Sequence, residues 1–166
     1  MFGFLNRQKK EGRKFQKPYY TILSCHTDKV LDLSGGGEHQ GSLIIWDSNK
    51  GDNQSFTLSP AVNGQYRIKC KANGQFLTVE NGSNGAKIMT APKSKTNHNQ
   101  LFRLDQPNPD KKEYVIYTYC GKALDICEAS KKKGTQIIQW DLNGNSNQLW
   151  HFCDPKNITS SSSEIE

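Results

Sequence analysis

Two sets of residues of the same kinds carry the chemistry this sequence can offer. Asp32, Trp46 and Asn53 make the first, and Asp125, Trp140 and Asn147 the second. In both, the tryptophan precedes the asparagine by seven positions. A carboxylate accepts short, directional hydrogen bonds, an indole offers a flat apolar face, and an amide both donates and accepts. That combination suits recognition better than turnover. No G-x-S-x-G elbow, P-loop, H-E-x-x-H or catalytic-cysteine signature occurs, and nothing in the sequence sets two carboxylates together for glycoside hydrolysis. Each residue also has a structural alternative, the aspartates as turn or cap residues and the tryptophans as core. However, each tryptophan is followed by Asp and a Gly/Asn-rich segment, which sets its ring beside a surface loop.

The two sets sit inside a longer repetition. The segments DNQSFTL (52–58), NQLFRL (99–104) and SNQLWHF (146–152) share an Asn-Gln-x-aromatic core. Tyr20, Tyr66 and Tyr114 each precede the closing aromatic, Phe56, Phe102 or Trp150, by 36 positions. Ile22, Ile68 and Ile116 follow the tyrosines by two, and Leu31, Leu77 and Leu124 are each followed at i+2 by Leu33, Val79 or Ile126. Leu58, Leu104 and Phe152 lie two past the closing aromatics. Apolar alternation with period two predicts half-buried strands, and the runs DSNKGDN, NGSNG and DLNGNSN predict turns between them. Each unit offers about four strands, so three units give about twelve. One unit cannot bury its own apolar face, whereas three closing around an axis remove the exposed edges. The expected fold is all-β, a β-trefoil of three pseudo-symmetric four-stranded repeats over about 19–60, 65–106 and 113–154.

Composition agrees with this. Apolar residues make up 34% of the 166 residues, Gly numbers 14, and mean hydropathy is -0.78. No apolar run approaches the roughly 20 residues a membrane helix needs. Six basic residues against one acidic in residues 1–18 account for +5 of the net +6, so the basic excess is an arm and not a face of the domain. The arm (1–18) and a polar tail (155–166) are expected to be flexible, the arm offering contact with anionic membrane, and nucleic acid is not expected as a partner. The five cysteines show no C-x-x-C pair, which points to free thiols and no metal site. The N-terminus has no apolar signal-peptide core, so the expected location is cytoplasmic or reached by non-classical export.

Threefold Q-x-W-type closing motifs with an upstream Leu-Asp and a mid-unit Trp-Asp resemble the ricin B-type β-trefoil lectins, over about 19–154. Only the third unit has the full Gln148-Leu149-Trp150, since Phe56 and Phe102 stand in the first two. The half-cystine positions of plant members hold Val30 or Ala123, and Ser48 or Leu142, so their intra-repeat disulfides are absent. The resemblance implies one sugar per competent repeat. The Asp would hold two adjacent hydroxyls, the Trp would stack on the apolar ring face, and the Asn would fix orientation. It thus implies a non-enzymatic lectin for galactose or N-acetylgalactosamine termini of glycoproteins or glycolipids, with no cofactor. Asp32, Trp46 and Asn53 form one site, and Asp125, Trp140 and Asn147 the other. The second repeat has Thr78 in place of the Asp and Met89, Thr90 and Pro92 about the aromatic position, so its site is lost although Asn99 remains. Gln54, Gln100 and Gln148 recur in all three repeats and are therefore expected to be structural. The loop with His39 would rim the first site. That with Lys131, Lys132 and Lys133 would rim the third and favour anionic glycans there. The alternative is a β-trefoil module for protein or membrane-surface contact with vestigial sugar sites.

Overall fold

The computed structural model describes residues 14–158, so the expected arm as far as residue 13 and the tail from 159 lie outside the described residues. The first repeat forms β1 (Thr21–Ser24), β2 (Val30–Leu33), β3 (Leu43–Trp46) and β4 (Phe56–Pro60). The second forms β5 (Tyr66–Cys70), β6 (Phe76–Val79), β7 (Ile88–Ala91) and β8 (Arg103–Asp105). The third forms β9 (Val115–Tyr117), β10 (Ala123–Ile126), β11 (Ile137–Trp140) and β12 (Trp150–Cys153). Twelve strands thus fall within the three units read from the sequence.

The strands make three four-stranded antiparallel sheets, ordered β12-β1-β2-β3, β4-β5-β6-β7 and β8-β9-β10-β11. Each sheet begins with the last strand of one repeat and continues with the first three of the next. The 36-residue spacing has a direct cause. Tyr20 pairs with Phe56, Tyr66 with Phe102 and Tyr114 with Trp150 as isolated bridges that close each repeat on itself. Those bridges, together with the β12–β1, β4–β5 and β8–β9 pairings, complete a six-stranded barrel. Phe56, Phe102 and Trp150 are fully buried at its centre beside Ile22, Ile68 and Ile116. Phe fills the position as Trp does, but only Trp150 adds a bond, its Nε1–H donating to Leu124 O at 3.3 Å.

The β2–β3, β6–β7 and β10–β11 hairpins cap one end of the barrel. They interlock in one sense around the axis: Ser42 bridges Met89, Lys87 bridges Ile138, and Gln136 bridges Ile44. Another part of the barrel is filled from an unexpected source. Phe15 lies edge-on to Tyr20, Tyr66, Tyr114 and Phe152, with ring centroids 5.7, 5.6, 5.5 and 5.0 Å away. Three of these are the repeat-opening tyrosines, so one phenylalanine serves all three repeats. Lys17 pairs with Asp154 at 2.8 Å just beyond it. The boundary expected at residue 18 therefore falls within a packed segment. Removing a fully buried Phe side chain costs about 3–5 kcal/mol. Phe15 is only partly buried, so Phe15→Ala should lower the unfolding free energy by about 2 kcal/mol in a urea titration; an unchanged midpoint would mean the ring does not seal the barrel.

Candidate functional site

Each site is assembled around a buried glutamine. Gln54 sits in a short 3-10 turn, Asp52–Gln54, where its side-chain oxygen accepts from Asn49 N–H at 2.8 Å. Its amide nitrogen donates to Asp32 Oδ2 at 2.7 Å and to Asp47 O at 2.9 Å. Gln148 repeats this pattern, accepting from Asn143 N–H at 2.8 Å and donating to Asp125 Oδ2 at 2.7 Å and Asp141 O at 2.9 Å. Gln100 accepts from Ser94 N–H at 2.8 Å and donates to Thr78 Oγ1 at 3.2 Å and Pro92 O at 2.8 Å. One side chain thus ties three segments together: the β2-type strand, the turn after the β3-type strand and its own turn. Satisfying every polar atom of a buried amide is what makes such a network stabilising. The glutamines are structural, and in two repeats the same bond also aims the aspartate.

The structure brings Asp32, Trp46 and Asn53 together on one cleft of 260 Å³, with Ser34, Gly35 and Gly36 on its edge. It brings Asp125, Trp140 and Asn147 together on a second, of 490 Å³, with Glu128, Asn143 and Asn145. Strand pairing explains both placements. Val30 faces Trp46 and Asp32 faces Ile44, just as Ala123 faces Trp140 and Asp125 faces Ile138. Trp46 and Trp140 are 37% and 45% exposed, whereas Trp150 is fully buried. An exposed indole beside a buried, hydrogen-bonded carboxylate is a stacking surface with a fixed polar anchor. Asn53 also donates to Leu33 O at 3.4 Å, so its amide is held in place.

The second repeat lacks both groups. Thr78 occupies the aspartate position, its hydroxyl donating to Phe76 O at 2.8 Å. Phe76 pairs with Ala91, which places Ala91, one residue from the nearest of those bracketed in the sequence, where the tryptophans stand. Asn99 keeps the backbone bond that Asn53 makes, here to Val79 O at 2.9 Å, but its buried side-chain oxygen has no partner among the described residues.

The rim differs from the sequence expectation. His39 and Lys132 line neither cleft. The cause is the interlock, which carries each hairpin loop toward the neighbouring repeat. Gly134 N–H donates to Ile45 O at 2.7 Å, and Gly85 N–H donates to Gln139 O at 2.8 Å. Both glycines have positive φ, +88° and +85°, and each lies behind a tryptophan ring, a Cβ there falling 3.5 Å from Trp46 and 3.7 Å from Trp140. One residue of the lysine run of the third repeat consequently reaches the tryptophan of the first cleft. Lys133 Nζ stands 5.2 Å over the Trp46 ring and 3.7 Å from Asp47. The equivalent residue beside Trp140, Asn84, turns onto Asp141 at 2.9 Å, and that cleft is the wider one.

His26 is a residue the sequence reading missed. Its Nε2–H donates to Ala129 O at 2.8 Å, and Nδ1 lies 2.8 Å from Ser146 Oγ, whose hydroxyl donates to it when the ring is neutral. It thereby joins the rim of the third cleft to the turn that carries Asn147. Glu128 and Ala129 hold φ near +55° and +51°, a conformation that costs non-glycine residues energy and needs such support.

Burial pushes the carboxyls of Asp32 and Asp125 above the ordinary aspartate range, and the glutamine and asparagine amides offset only part of this. Both aspartates therefore cost stability when ionised, a cost a ligand with hydroxyl donors would offset.

The sequence model of the ricin-type β-trefoil lectin domain-like family matches residues 8–91, half of the chain. The chain belongs to this family. ThreeFoil, a designed threefold-symmetric protein, is similar at 31% identity and a TM-score of 0.76, covering 83% of this chain and 99% of its own. The main hemagglutinin component type C of the Clostridium botulinum C phage is 23% identical over 112 residues, 65% of this chain. The match spans only 38% of that relative's length. The ricin B-like lectin of Macrolepiota procera, solved with lactose, shares the fold at 19% identity and a TM-score of 0.67, covering 81% of this chain and 94% of its own.

A raised folded-state pKa makes the unfolded aspartate ionise first, so stability is lost as pH rises from the ordinary value through the raised one. The Asp32→Asn, Asp125→Asn double variant should therefore melt no lower than the wild type at neutral pH. The difference should close in acid, below the ordinary aspartate range. A markedly lower neutral melting temperature would show the carboxylates to be stabilising instead.

Proposed function

We propose that this domain binds terminal galactose or N-acetylgalactosamine at two shallow clefts, one on the first repeat and one on the third, without catalysing a reaction. Carbohydrate binding is the general property for which the family and its hemagglutinin relatives speak. The observation that carries the assignment to two clefts is the repeated convergence of a buried aspartate, an exposed tryptophan and an asparagine, broken in the second repeat. A galactoside has two adjacent hydroxyls, one axial, and an apolar face on the opposite side of the ring. The aspartate would accept from both hydroxyls through charge-assisted bonds, and the indole would cover the apolar face. The lactose bound by the Macrolepiota procera lectin ends in such a ring. The buried glutamine would keep Asp Oδ2 occupied and in register, which leaves Oδ1 to the sugar.

Each cleft is open, so one sugar would gain roughly 4–5 kcal/mol, in the millimolar to sub-millimolar range. Two clefts on one rigid domain would bind densely displayed glycans far more tightly and cross-link the molecules that carry them. Isothermal titration with N-acetylgalactosamine should give two sites in the wild type, one in Asp32→Ala, one in Asp125→Ala and none in the double variant. Undiminished binding in the double variant would remove the assignment.

A further inference from the structure

Outside the clefts, one cluster gathers metal-ligating groups from three separate parts of the chain. A ligand atom from each of Cys25, Glu113 and His151 lies within 4.8 Å of the other two, the one such group of three His, Cys, Asp or Glu among the described residues. The sequence spacing hides it. Sheet geometry assembles it. In the β12–β1 pairing Leu23 faces His151, and Cys25 N–H donates to Leu149 O, which puts the Cys25 side chain diagonal to His151 on one face. The Tyr114–Trp150 bridge continues one residue outward to set Glu113 beside His151 from the other flank. Ile22, Phe152 and Trp150 point into the barrel, so this is its outer face.

The imidazole is already in the right tautomer. His151 Nδ1 lies 2.8 Å from Lys112 O. A carbonyl can only accept, so in the neutral ring Nδ1 carries the proton and Nε2 keeps its lone pair. A backbone carbonyl on the far nitrogen is the usual way a metal-binding histidine is oriented. We propose that Cys25, Glu113 and His151 form a binding site for one zinc-class divalent ion, which clasps the first repeat to the third at the seam of the barrel.

Thiolate with imidazole and carboxylate selects zinc or cobalt over magnesium or calcium, which take oxygen ligands alone. Zinc bonds of about 2.0–2.3 Å place neighbouring ligand atoms about 3.5 Å apart, so atoms that lie within 4.8 Å of one another are near bonding separation. Water completes the fourth position. Burial, then Glu113 and Cys153, push the Cys25 thiol up to about 12. Without a cation the group is thus a protonated, unreactive thiol; on binding, its proton passes to solvent and the sulfur bonds the metal. The seam is where the first strand meets the last, and a metal bridge there shortens the loops open to the unfolded chain.

The full chain, stripped with a chelator, should be titrated with Co2+ and then Zn2+. One equivalent of Co2+ should raise a thiolate-to-cobalt charge-transfer band that Zn2+ abolishes, and Zn2+ should raise the melting temperature. Cys25→Ser should lose both effects while keeping its metal-free melting temperature and its galactoside binding. Glu113→Gln should keep the band but weaken binding by about tenfold or more. No band in the wild type, or a band that persists in Cys25→Ser, would overturn the proposal. So would a Zn2+ shift of equal size in Cys25→Ser, whose thiols at 70, 120, 127 and 153 remain.

Discussion

The hydrogen bonds of one buried amide, made three times, organise this molecule. In each repeat the glutamine of the Asn-Gln pair is at most 1% exposed and bonds three segments at once. Such a group must find all its partners within the fold, because an unmet buried donor or acceptor costs about 1–3 kcal/mol. Satisfying it dictates where the turn lies, how the capping hairpin meets the barrel, and which oxygen of the aspartate is taken. Fold and site therefore share a constraint. The second repeat makes this plain, since Gln100 keeps the network with a threonine hydroxyl where the carboxylate was. The scaffold survives there without the aspartate and the tryptophan.

The interlocked hairpins add a second constraint. Each loop rests on the neighbouring repeat, so the tryptophan of each cleft has neighbours from another repeat. Trp46 is backed by Gly134 and overlain by Lys133 from the third repeat, and Trp140 is backed by Gly85 from the second. The second repeat, with no tryptophan and no aspartate of its own, thus still helps to build the third site. The two clefts differ for the same reason. A lysine stands over one indole, whereas an asparagine turned aside leaves the other open.

Much of this was legible in the sequence, because threefold repetition turns weak local signals into a register. The 36-residue spacing is the span from a barrel tyrosine to the aromatic it bridges, and the Asp, Trp and Asn positions follow from that register. The structural role of the glutamines was readable from their persistence where the site is lost. What was not legible is whatever depends on contact between repeats. Sequence order sets Lys131–Lys133 beside the third site, yet the chain's path carries Lys133 to Trp46 of the first. Phe15 reads as part of a basic leader because its partners, Tyr20, Tyr66, Tyr114 and Phe152, are scattered over more than a hundred residues. Cys25, Glu113 and His151 show no ligand spacing because three separate segments, the residue after β1, the approach to β9 and β12 itself, supply one ligand each.

The three tryptophans report separately on the first site, the third site and the core. Their indole N–H signals, followed by 15N-edited NMR while N-acetylgalactosamine is added to saturation, put the central claim to its most direct test. The account predicts that the signals of Trp46 and Trp140 move with saturable curves while that of Trp150, buried and bonded to Leu124 O, stays in place. Stationary Trp46 and Trp140 signals under a saturating sugar would contradict it.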